Sequence, residues 1–392
     1  MCSSSRLNGK RSNRIKLCHP NTALGDELHR TSMVPSVPTL DLEEDPITLL
    51  RALIDIESVS GHETEIANAI EAALRPYQHL AVVRDGNVII ARTDLGRTSR
   101  VVIAGHLDTV PIADNLPSRV TGQGPDMRVW GRGACDMKGG VAVQLSAAAA
   151  LREPARDVTW IFYDCEEVEA SRNGLARIAR DRPDYLAGDF AVLCEPSNSG
   201  VEGGCQGTMR IEVRLTGVAA HSARAWMGHN AIHDAAGVLQ RLADYLPAEV
   251  EVDGLRYREG LNAVRISGGM AGNIIPNRCD IEINYRFAPD KSAKDAEAEV
   301  RRVLAGFPVE VTDVAAGARP GLDLPAAKEF VAAVGGEPSA KFGWTDVARF
   351  SEMGIPAVNF GPGNPSKAHA DDEFCPAAEV IACQDALVRW LA

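Results

Sequence analysis

Two histidines and three carboxylates in this chain have side chains that bind metal ions and are predicted to form one site: His106, Asp136, Glu167, Glu195 and His369. His106, Glu167 and Glu195 each come where an apolar run, predicted to be a β-strand, ends. The carboxyl ends of parallel strands meet at one crevice of an open α/β sheet, which is where ligands usually bind. Imidazoles and carboxylates suit a pair of divalent, zinc-like ions, whereas structural zinc sites are rich in thiolates. The set therefore predicts a two-metal hydrolase.

Two short motifs contain candidate ligands. Asp108 follows His106 at a spacing of two residues, and a metal-bound imidazole usually donates its second N–H to such a carboxylate. A polar turn is the alternative for this motif taken alone. Asp136 lies in the glycine-rich segment 131–140, which lacks the Gly-Lys-Ser/Thr ending of a phosphate loop. Glycines allow close backbone approach, which a carboxylate that bridges two cations needs; an N-capping aspartate is the alternative.

Adjacent carboxylates, Glu166 and Glu167, follow a strongly apolar predicted strand. Consecutive side chains point in different directions, so one of them can bind metal while its neighbour faces the attacking water. A general base must lie within hydrogen-bond reach of the proton that it accepts. Solvated surface acids are the alternative, although an exposed acidic cluster seldom follows such a strand directly.

The elements that must position these residues begin near residue 45. Asp45-Pro46 predicts a helix start, Ser60 to Glu63 has the spacing of a capping box for a second helix, and Asp85-Gly86 predicts a hairpin. Strands and helices then alternate as far as residue 194. This order predicts an α/β layer architecture.

The pattern changes near Gly207, because residues 208–216 alternate strictly between apolar and polar side chains. Such alternation is typical of a sheet that is covered on one face, and the following segments give the order β-α-β-β-α-β of a ferredoxin-like unit. A smaller domain, residues 207–316, is therefore predicted to be inserted into a catalytic domain made of residues 45–206 and 317–392. His369 would complete the metal site from beyond the insertion.

Composition limits the classes of partner. The net charge of −12 argues against nucleic acid as a partner. No apolar run approaches the length of about 18 residues that a membrane span needs, so no membrane partner is expected. Nine cysteines, an odd number without regular spacing, argue against a disulfide framework and suit a reducing cytoplasm.

The first residues differ from the rest of the chain. Residues 1–32 contain six Lys or Arg and two acids without an apolar segment, which excludes a secretory signal. The stretch 1–44 is predicted to be a disordered N-terminal extension, and Met33 is an alternative start. N-terminal mass spectrometry of the native protein decides between the two starts.

A family resemblance rests on five segments: Gly105–Pro111, Gly131–Gly140, Glu166-Glu167, Glu195-Pro196 and His369. Together they resemble the dinuclear zinc aminoacylase/carboxypeptidase family, and the resemblance extends over about residues 45–392. It implies a zinc-peptidase-like, three-layer α/β catalytic domain with an inserted ferredoxin-like α+β domain that serves as lid and dimerisation surface. A homodimer formed through residues 207–316 is thus expected.

The resemblance also implies roles for individual residues. His106 and Glu195 would bind one zinc ion, Glu167 and His369 the other, and Asp136 would bridge them, with cobalt as a substitute metal. Asp108 would orient His106, Glu166 would be the general base, and His221 would reach the active site of the opposite subunit to stabilise the oxyanion. Without the resemblance, the sequence setting of His221 favours a solvent-facing loop histidine. The implied substrate-binding residues are Arg286, Asn273, Arg224, Gly343 and Thr345, beside a Trp344 that departs from the small residue of many relatives.

The implied reaction is hydrolysis of N-succinyl-LL-diaminopimelate to succinate and LL-diaminopimelate in lysine and cell-wall precursor synthesis. The expected partner is therefore a small, anionic N-acyl amino acid. Deacetylation of N-acetylornithine, or a dipeptidase or carboxypeptidase activity, is the alternative within the same chemistry. A non-catalytic protein on this fold would have lost Glu166 or part of the metal set, and both are intact.

Overall fold

The computed structural model describes residues 38–392. The alternative start at Met33 and most of the predicted extension 1–44 lie outside these residues. Within the remainder of that extension, Leu40 and Leu42 are buried in the core, so the chain is packed before residue 45. In this part of the chain, no helix combines the length and the apolar content that a membrane crossing requires.

The elements alternate much as the sequence predicts, and the α/β fold class is confirmed. Within residues 38–392 the helices are α1 (Pro46–Ile54), α2 (Thr64–Leu74), α3 (Lys138–Ala150), α4 (Gly174–Asp181), α5 (Ala231–Ala243), α6 (Ala293–Val303), α7 (Pro325–Val334), α8 (Val347–Glu352) and α9 (Ala377–Leu391). The strands are β1 (Ala81–Asp85), β2 (Val88–Arg92), β3 (Arg100–His106), β4 (Arg119–Thr121), β5 (Arg128–Trp130), β6 (Asp157–Tyr163), β7 (Phe190–Leu193), β8 (Glu202–Gly203), β9 (Gly207–Thr216), β10 (Glu249–Val252), β11 (Leu255–Arg258), β12 (Gly260–Gly268), β13 (Arg278–Phe287), β14 (Val309–Ala315), β15 (Ser339–Ala340), β16 (Ala357–Asn359) and β17 (Phe374–Pro376).

An eight-stranded sheet has the order β1-β2-β6-β3-β7-β16-β8-β15, and its central strands β6, β3, β7 and β16 run parallel. These strands are buried almost throughout because helices cover both faces of the sheet. Alternate residues of β3 enter different cores: Val101 and Ile103 pack in one cluster, and Val102 and Ala104 in the other. The result is a three-layer arrangement in which the carboxyl ends of β3, β6 and β7 share one edge.

A separate four-stranded antiparallel sheet, with the order β12-β13-β9-β14, is formed by residues 207–315. Its apolar face, which includes Met209, Ile211 and Val213, packs on α5 and α6 around a core of its own. The opposite face carries the polar residues of the alternating pattern. Apart from one extra hairpin, the order of elements is the expected β-α-β-β-α-β.

That hairpin, β10–β11, is absent from the sequence prediction. Its turn, Asp253-Gly254 between two short alternating stretches, is a strong hairpin signal and would have identified it. The capping box predicted at Ser60 is wrong. The N-cap of α2 is Glu63, whose side chain makes no capping hydrogen bond, and the Ser60 hydroxyl donates to Asp108 instead, 2.7 Å away.

Candidate metal centre

His106 is the last residue of β3, and its ring is almost wholly buried. Nδ1 lies 3.0 Å from the main-chain oxygen of Asp108 and 3.6 Å from its carboxylate. The main-chain oxygen is thus the nearer acceptor, whereas the sequence analysis expected the carboxylate. With the proton on Nδ1, the lone pair of Nε2 faces Asp136 Oδ1 at 3.1 Å. Asp108 therefore fixes the tautomer that a metal requires.

The Asp108 carboxylate is occupied elsewhere, which explains this difference. It accepts hydrogen bonds from the main-chain N–H groups of Glu166 (2.9 Å) and Glu167 (3.0 Å), in addition to the one from Ser60. Burial acts to raise the pKa of Asp108, but the hydrogen bonds from its surroundings and the neighbouring His106 lower it. A single buried aspartate thus positions His106 and the two glutamates at the end of β6.

Asp136 presents one carboxylate oxygen to each histidine. Oδ1 faces His106, and Oδ2 lies 3.4 Å from Nε2 of His369, which is itself 2.9 Å from Glu167 Oε1. Two groups of possible metal ligands, each with ligand atoms within 4.8 Å of one another, share this aspartate. They are His106–Asp136–Glu195 and Asp136–Glu167–His369. The arrangement has the form of a bridging carboxylate between two cation sites.

The charges and donor atoms of the site fit two divalent cations. Oε1 of Glu195 is buried and has no hydrogen-bond partner among residues 38–392, a costly state for a carboxylate that binds nothing. Burial and the charge of Asp136 raise the pKa of Glu195 to about 7, and the same causes raise that of Glu167. Cations between these crowded carboxylates would remove the repulsion.

Glu166 lies beside both ligand groups, with a carboxylate oxygen within 4.8 Å of ligand atoms of His106 and Glu167. Burial, together with the charges of Glu195 and Glu167, raises its pKa well above the usual value, although His106 acts in the opposite direction. A carboxylate with a raised pKa is a better proton acceptor near neutral pH.

Sequence reasoning missed Glu373, to which it gave no role. This buried carboxylate accepts four hydrogen bonds. Oε1 accepts from the main-chain N–H groups of Cys135 (2.9 Å) and Asp136 (3.0 Å), and Oε2 accepts from Gly133 N–H and the Arg132 guanidinium, both at 3.0 Å. Glu373 therefore holds the glycine-rich loop that presents Asp136, and an acidic residue four positions after His369 was the available signal.

A cleft of about 1190 Å³ joins the metal-ligand groups to the polar face of the four-stranded sheet. Three of the predicted substrate residues line it: Arg286, Gly343 and Thr345. Thr345 is buried, and its hydroxyl donates to Asn359 at 2.8 Å. Trp344 lies in the same loop, and its indole N–H donates to the main-chain oxygen of Ala316, 3.0 Å away.

The structure does not bring His221, Arg224 and Asn273 to this cleft. All three are exposed on two loops that pair with each other, through a bridge between His221 and Ile274. The main-chain oxygen of Asn273 accepts from Ser222 N–H at 2.9 Å. Within one subunit, these residues form a separate exposed surface.

Comparisons with known proteins identify the family. The model of "Peptidase family M20/M25/M40" matches residues 102–392. A Corynebacterium glutamicum succinyl-diaminopimelate desuccinylase is 47% identical over 366 residues, covering 91% of this chain and 98% of the relative. A Mycobacterium tuberculosis protein to which the same activity is assigned, DapE, is 53% identical over 355 residues, covering 90% and 99%.

Solved structures agree in fold. Aminopeptidase PepT from Bacillus cereus superimposes with a TM-score of 0.72 at 17% identity, over 90% of this chain and 98% of that one. The Bacillus subtilis YXEP protein, a dinuclear metal-binding peptidase from family M20, does so with a TM-score of 0.66 at 19% identity, over 88% and 96%. The family model and the two sequence relatives confirm the predicted metal-dependent amide hydrolase class. The chain belongs to peptidase family M20/M25/M40.

Proposed function

We propose that this protein hydrolyses N-succinyl-LL-diaminopimelate to succinate and LL-diaminopimelate. The observation that carries the proposal is a pair of metal-ligand groups sharing Asp136, with Glu166 beside both of them. The choice of substrate is supported by two relatives of this activity that match almost the whole chain at 53% and 47% identity. Deacetylation of N-acetylornithine is the alternative, and the experiment must distinguish it from hydrolysis of the succinyl substrate.

Two zinc ions are the metals that best suit these nitrogen and oxygen donors, with cobalt as a substitute. When bound, such a pair polarises the amide carbonyl and lowers the pKa of water. His106 and Glu195 would hold one ion, Glu167 and His369 the other, and Asp136 both. Contacts with Asp108 and Glu373 hold His106, Asp136 and Glu167, so these three ligands are arranged before the metals bind.

Glu166 is the general base of the proposed reaction. Its carboxylate accepts a proton from the attacking water and donates it to the leaving nitrogen, as amide cleavage requires. The hydrogen bond from its main-chain N–H to Asp108, at 2.9 Å, holds the residue at the strand end. Its raised pKa keeps the proton affinity high enough for this exchange near neutral pH.

A homodimer through residues 207–316 is also proposed. Strand β12 is an edge of the four-stranded sheet, and its Val264 and Ile266 are 59% and 48% exposed. An exposed apolar edge of this kind is a surface for strand pairing. In such a dimer the exposed His221 would reach the partner's cleft and stabilise the oxyanion with its imidazole N–H.

A reducing, cytoplasmic setting is supported by the cysteines. Seven of them are buried and free: Cys135, Cys165, Cys194, Cys205, Cys279, Cys375 and Cys383. Burial raises the pKa of Cys165 and of Cys383 to about 12, so both thiols stay protonated and unreactive at neutral pH. Alkylation of protein extracted without reductant should modify all seven after denaturation.

Amine release by the zinc-loaded protein tests the function, with N-succinyl-LL-diaminopimelate and N-acetylornithine compared side by side and a chelator-treated sample for each. Metal-dependent turnover of the succinyl substrate alone supports the proposal. Turnover of acetylornithine alone would replace the substrate and keep the mechanism. Glu166→Gln should retain two metal ions per chain and lose nearly all turnover; retained activity would remove Glu166 from its role.

A further inference from the structure

The cationic side chains of the cleft are not all neutralised by the protein. Five lysine and arginine side chains line the cleft: Arg210, Arg265, Arg286, Lys341 and Arg349. Arg265, Lys341 and Arg349 each form an ion pair, with Glu282, Glu202 and Asp346 respectively. Within residues 38–392, Arg210 and Arg286 have no carboxylate oxygen within 4.0 Å. Two guanidinium groups without an ion pair among the described residues therefore line the same cleft.

These two arginines are neighbours on the polar face of the four-stranded sheet. Arg210 of β9 pairs in register with Asn284 of β13, and Arg286 pairs with Thr208. The arginines are thus diagonal partners on adjacent strands, a relation that separates Cα atoms by about 7–8 Å. Their long side chains can converge on one small ligand.

Arg286 is held so that part of its guanidinium remains available. Its Nε donates to Asn284 Oδ1 at 3.2 Å, and Asn284 Nδ2 donates to the Thr208 hydroxyl at 3.2 Å. Among the residues that the structure describes, the Nη atoms of Arg286 and the guanidinium of Arg210 have no acceptor. Burial first, and then the charge of Arg210, lower the pKa of Arg286. An anion placed between the two guanidiniums would relieve both the desolvation and the repulsion.

We propose that Arg210 is a specificity-determining residue that holds one carboxylate of the substrate together with Arg286. The inference rests on the proposed function, because N-succinyl-LL-diaminopimelate has three carboxylates and one ammonium group, whereas N-acetylornithine has one of each. The planar fork of arginine suits carboxylate recognition, and a pair of guanidinium groups repels a substrate end that carries an ammonium group without a carboxylate. Arg210 thus favours polyanionic acyl amino acids over acetylornithine.

Kinetics of Arg210→Met test the assignment, with Arg214→Met as the matched control. Arg214 lies on the same strand as Arg210 but outside the residues that line the cleft, and it is already paired with Glu212 and Glu310. Loss of a charge-assisted contact should raise KM for the succinyl substrate about 10- to 100-fold in Arg210→Met, with kcat changed by less than about threefold. The control should leave both constants within about twofold, and Arg210→Lys should restore part of the loss.

Analogues in which one substrate carboxylate at a time is replaced by the amide identify the contact. One of them should be hydrolysed equally well by wild type and Arg210→Met, because the missing charge is the one that Arg210 binds. Equal losses for the full substrate and every analogue, or no loss at all, would overturn the proposal.

Binding of the two products, succinate and LL-diaminopimelate, separates this inference from the proposed function. Calorimetry on metal-loaded protein needs no turnover, so it decides the role of Arg210 even where the wild type fails to cleave the succinyl substrate. At least one product should bind about tenfold more weakly to Arg210→Met than to wild type and Arg214→Met. Unchanged affinity for both products would contradict the assignment.

Discussion

Replacing Glu373 by glutamine should weaken the metal site although Glu373 is not a ligand. The Glu373 carboxylate accepts two hydrogen bonds on each oxygen, four in all. A glutamine side chain has the same shape but only one oxygen, so its NH₂ group must face two N–H donors whichever way it turns. Either the pair from Cys135 and Asp136 or the pair from Arg132 and Gly133 is left without an acceptor.

The size of the effect follows from this count. Hydrogen bonds to a charged group contribute about 1.5–3 kcal/mol each, so losing two should cost about 3–6 kcal/mol of unfolding free energy. The Asp136 main-chain N–H is among the four donors, so the loop that presents the bridging carboxylate should loosen. Loss of a contact that orients a ligand typically lowers metal affinity about 10- to 100-fold.

Competition with a chromophoric chelator measures the zinc affinity, and denaturant unfolding of the metal-free protein measures the stability. Glu379→Gln is the matched control, because Glu379 accepts one hydrogen bond, from Gly363 N–H at 2.8 Å, which the amide oxygen can still accept. It should change both quantities little. If Glu373→Gln keeps wild-type zinc affinity and stability, the loop is held by other contacts and the argument is wrong.

Other predictions concern metals, assembly and pH. Chelation of the metals should abolish turnover and also lower the melting temperature, because the buried carboxylate of Glu195 loses its counter-charge; an unchanged melting temperature would contradict the site. Ile266→Asp on the exposed face of β12 should convert the dimer to monomer by analytical ultracentrifugation and reduce activity, whereas an active wild-type monomer would exclude the cross-subunit role of His221. Burial acts to raise the pKa of Asp157, but hydrogen bonds from Leu95 N–H, Arg97 N–H and the Thr93 hydroxyl lower it overall. Its stabilisation is therefore present above the unfolded pKa of about 3.9 and is lost as the pH falls through the lower folded value. Asp157→Asn should cost about 1–3 kcal/mol at pH 7 and make urea unfolding less sensitive to acid; an equal acid dependence would refute this.

Sequence reasoning found the parts of the site that depend on local rules. His106 and Glu195 follow apolar strands, and parallel strands bring their carboxyl ends together, so their convergence is predictable from order alone. The roles of Glu373 and Arg210 follow from three-dimensional surroundings that no local sequence pattern contains. The donors of Glu373 are 237–241 residues away in sequence. In the sequence, Arg210 is one of several polar residues of an alternating strand, and only the structure shows that, among the described residues, it has no ion pair while its neighbours do.

The second acceptor on Asp108 illustrates the same limit. Two residues after a histidine, its carboxylate was the natural partner for the imidazole, but the fold brings the N–H groups of Glu166 and Glu167 to that carboxylate. The main-chain oxygen of Asp108 then takes the imidazole N–H. Asp108 still orients the imidazole of His106, but through its main-chain oxygen and not through its carboxylate. A spacing of two residues brings both acceptors of Asp108 close to the ring.

Asp108 and Glu373 have the same structural role for different ligands of the site. Each is a buried carboxylate that accepts main-chain N–H groups from the loop carrying a candidate ligand: Asp108 from the loop of Glu167, and Glu373 from the loop of Asp136. Those N–H groups, together with the Arg132 guanidinium at Glu373, stabilise the negative charges without the cations. Glu195, whose inner oxygen has no hydrogen-bond partner among the described residues, has no such compensation. This difference between Glu195 and the other two predicts which carboxylates depend on the metals. Removing zinc should raise the proton affinity of Glu195, whereas Asp108 and Glu373 should keep their hydrogen bonds. Infrared spectra of the carboxylates in the metal-free and the metal-loaded protein can distinguish the two groups.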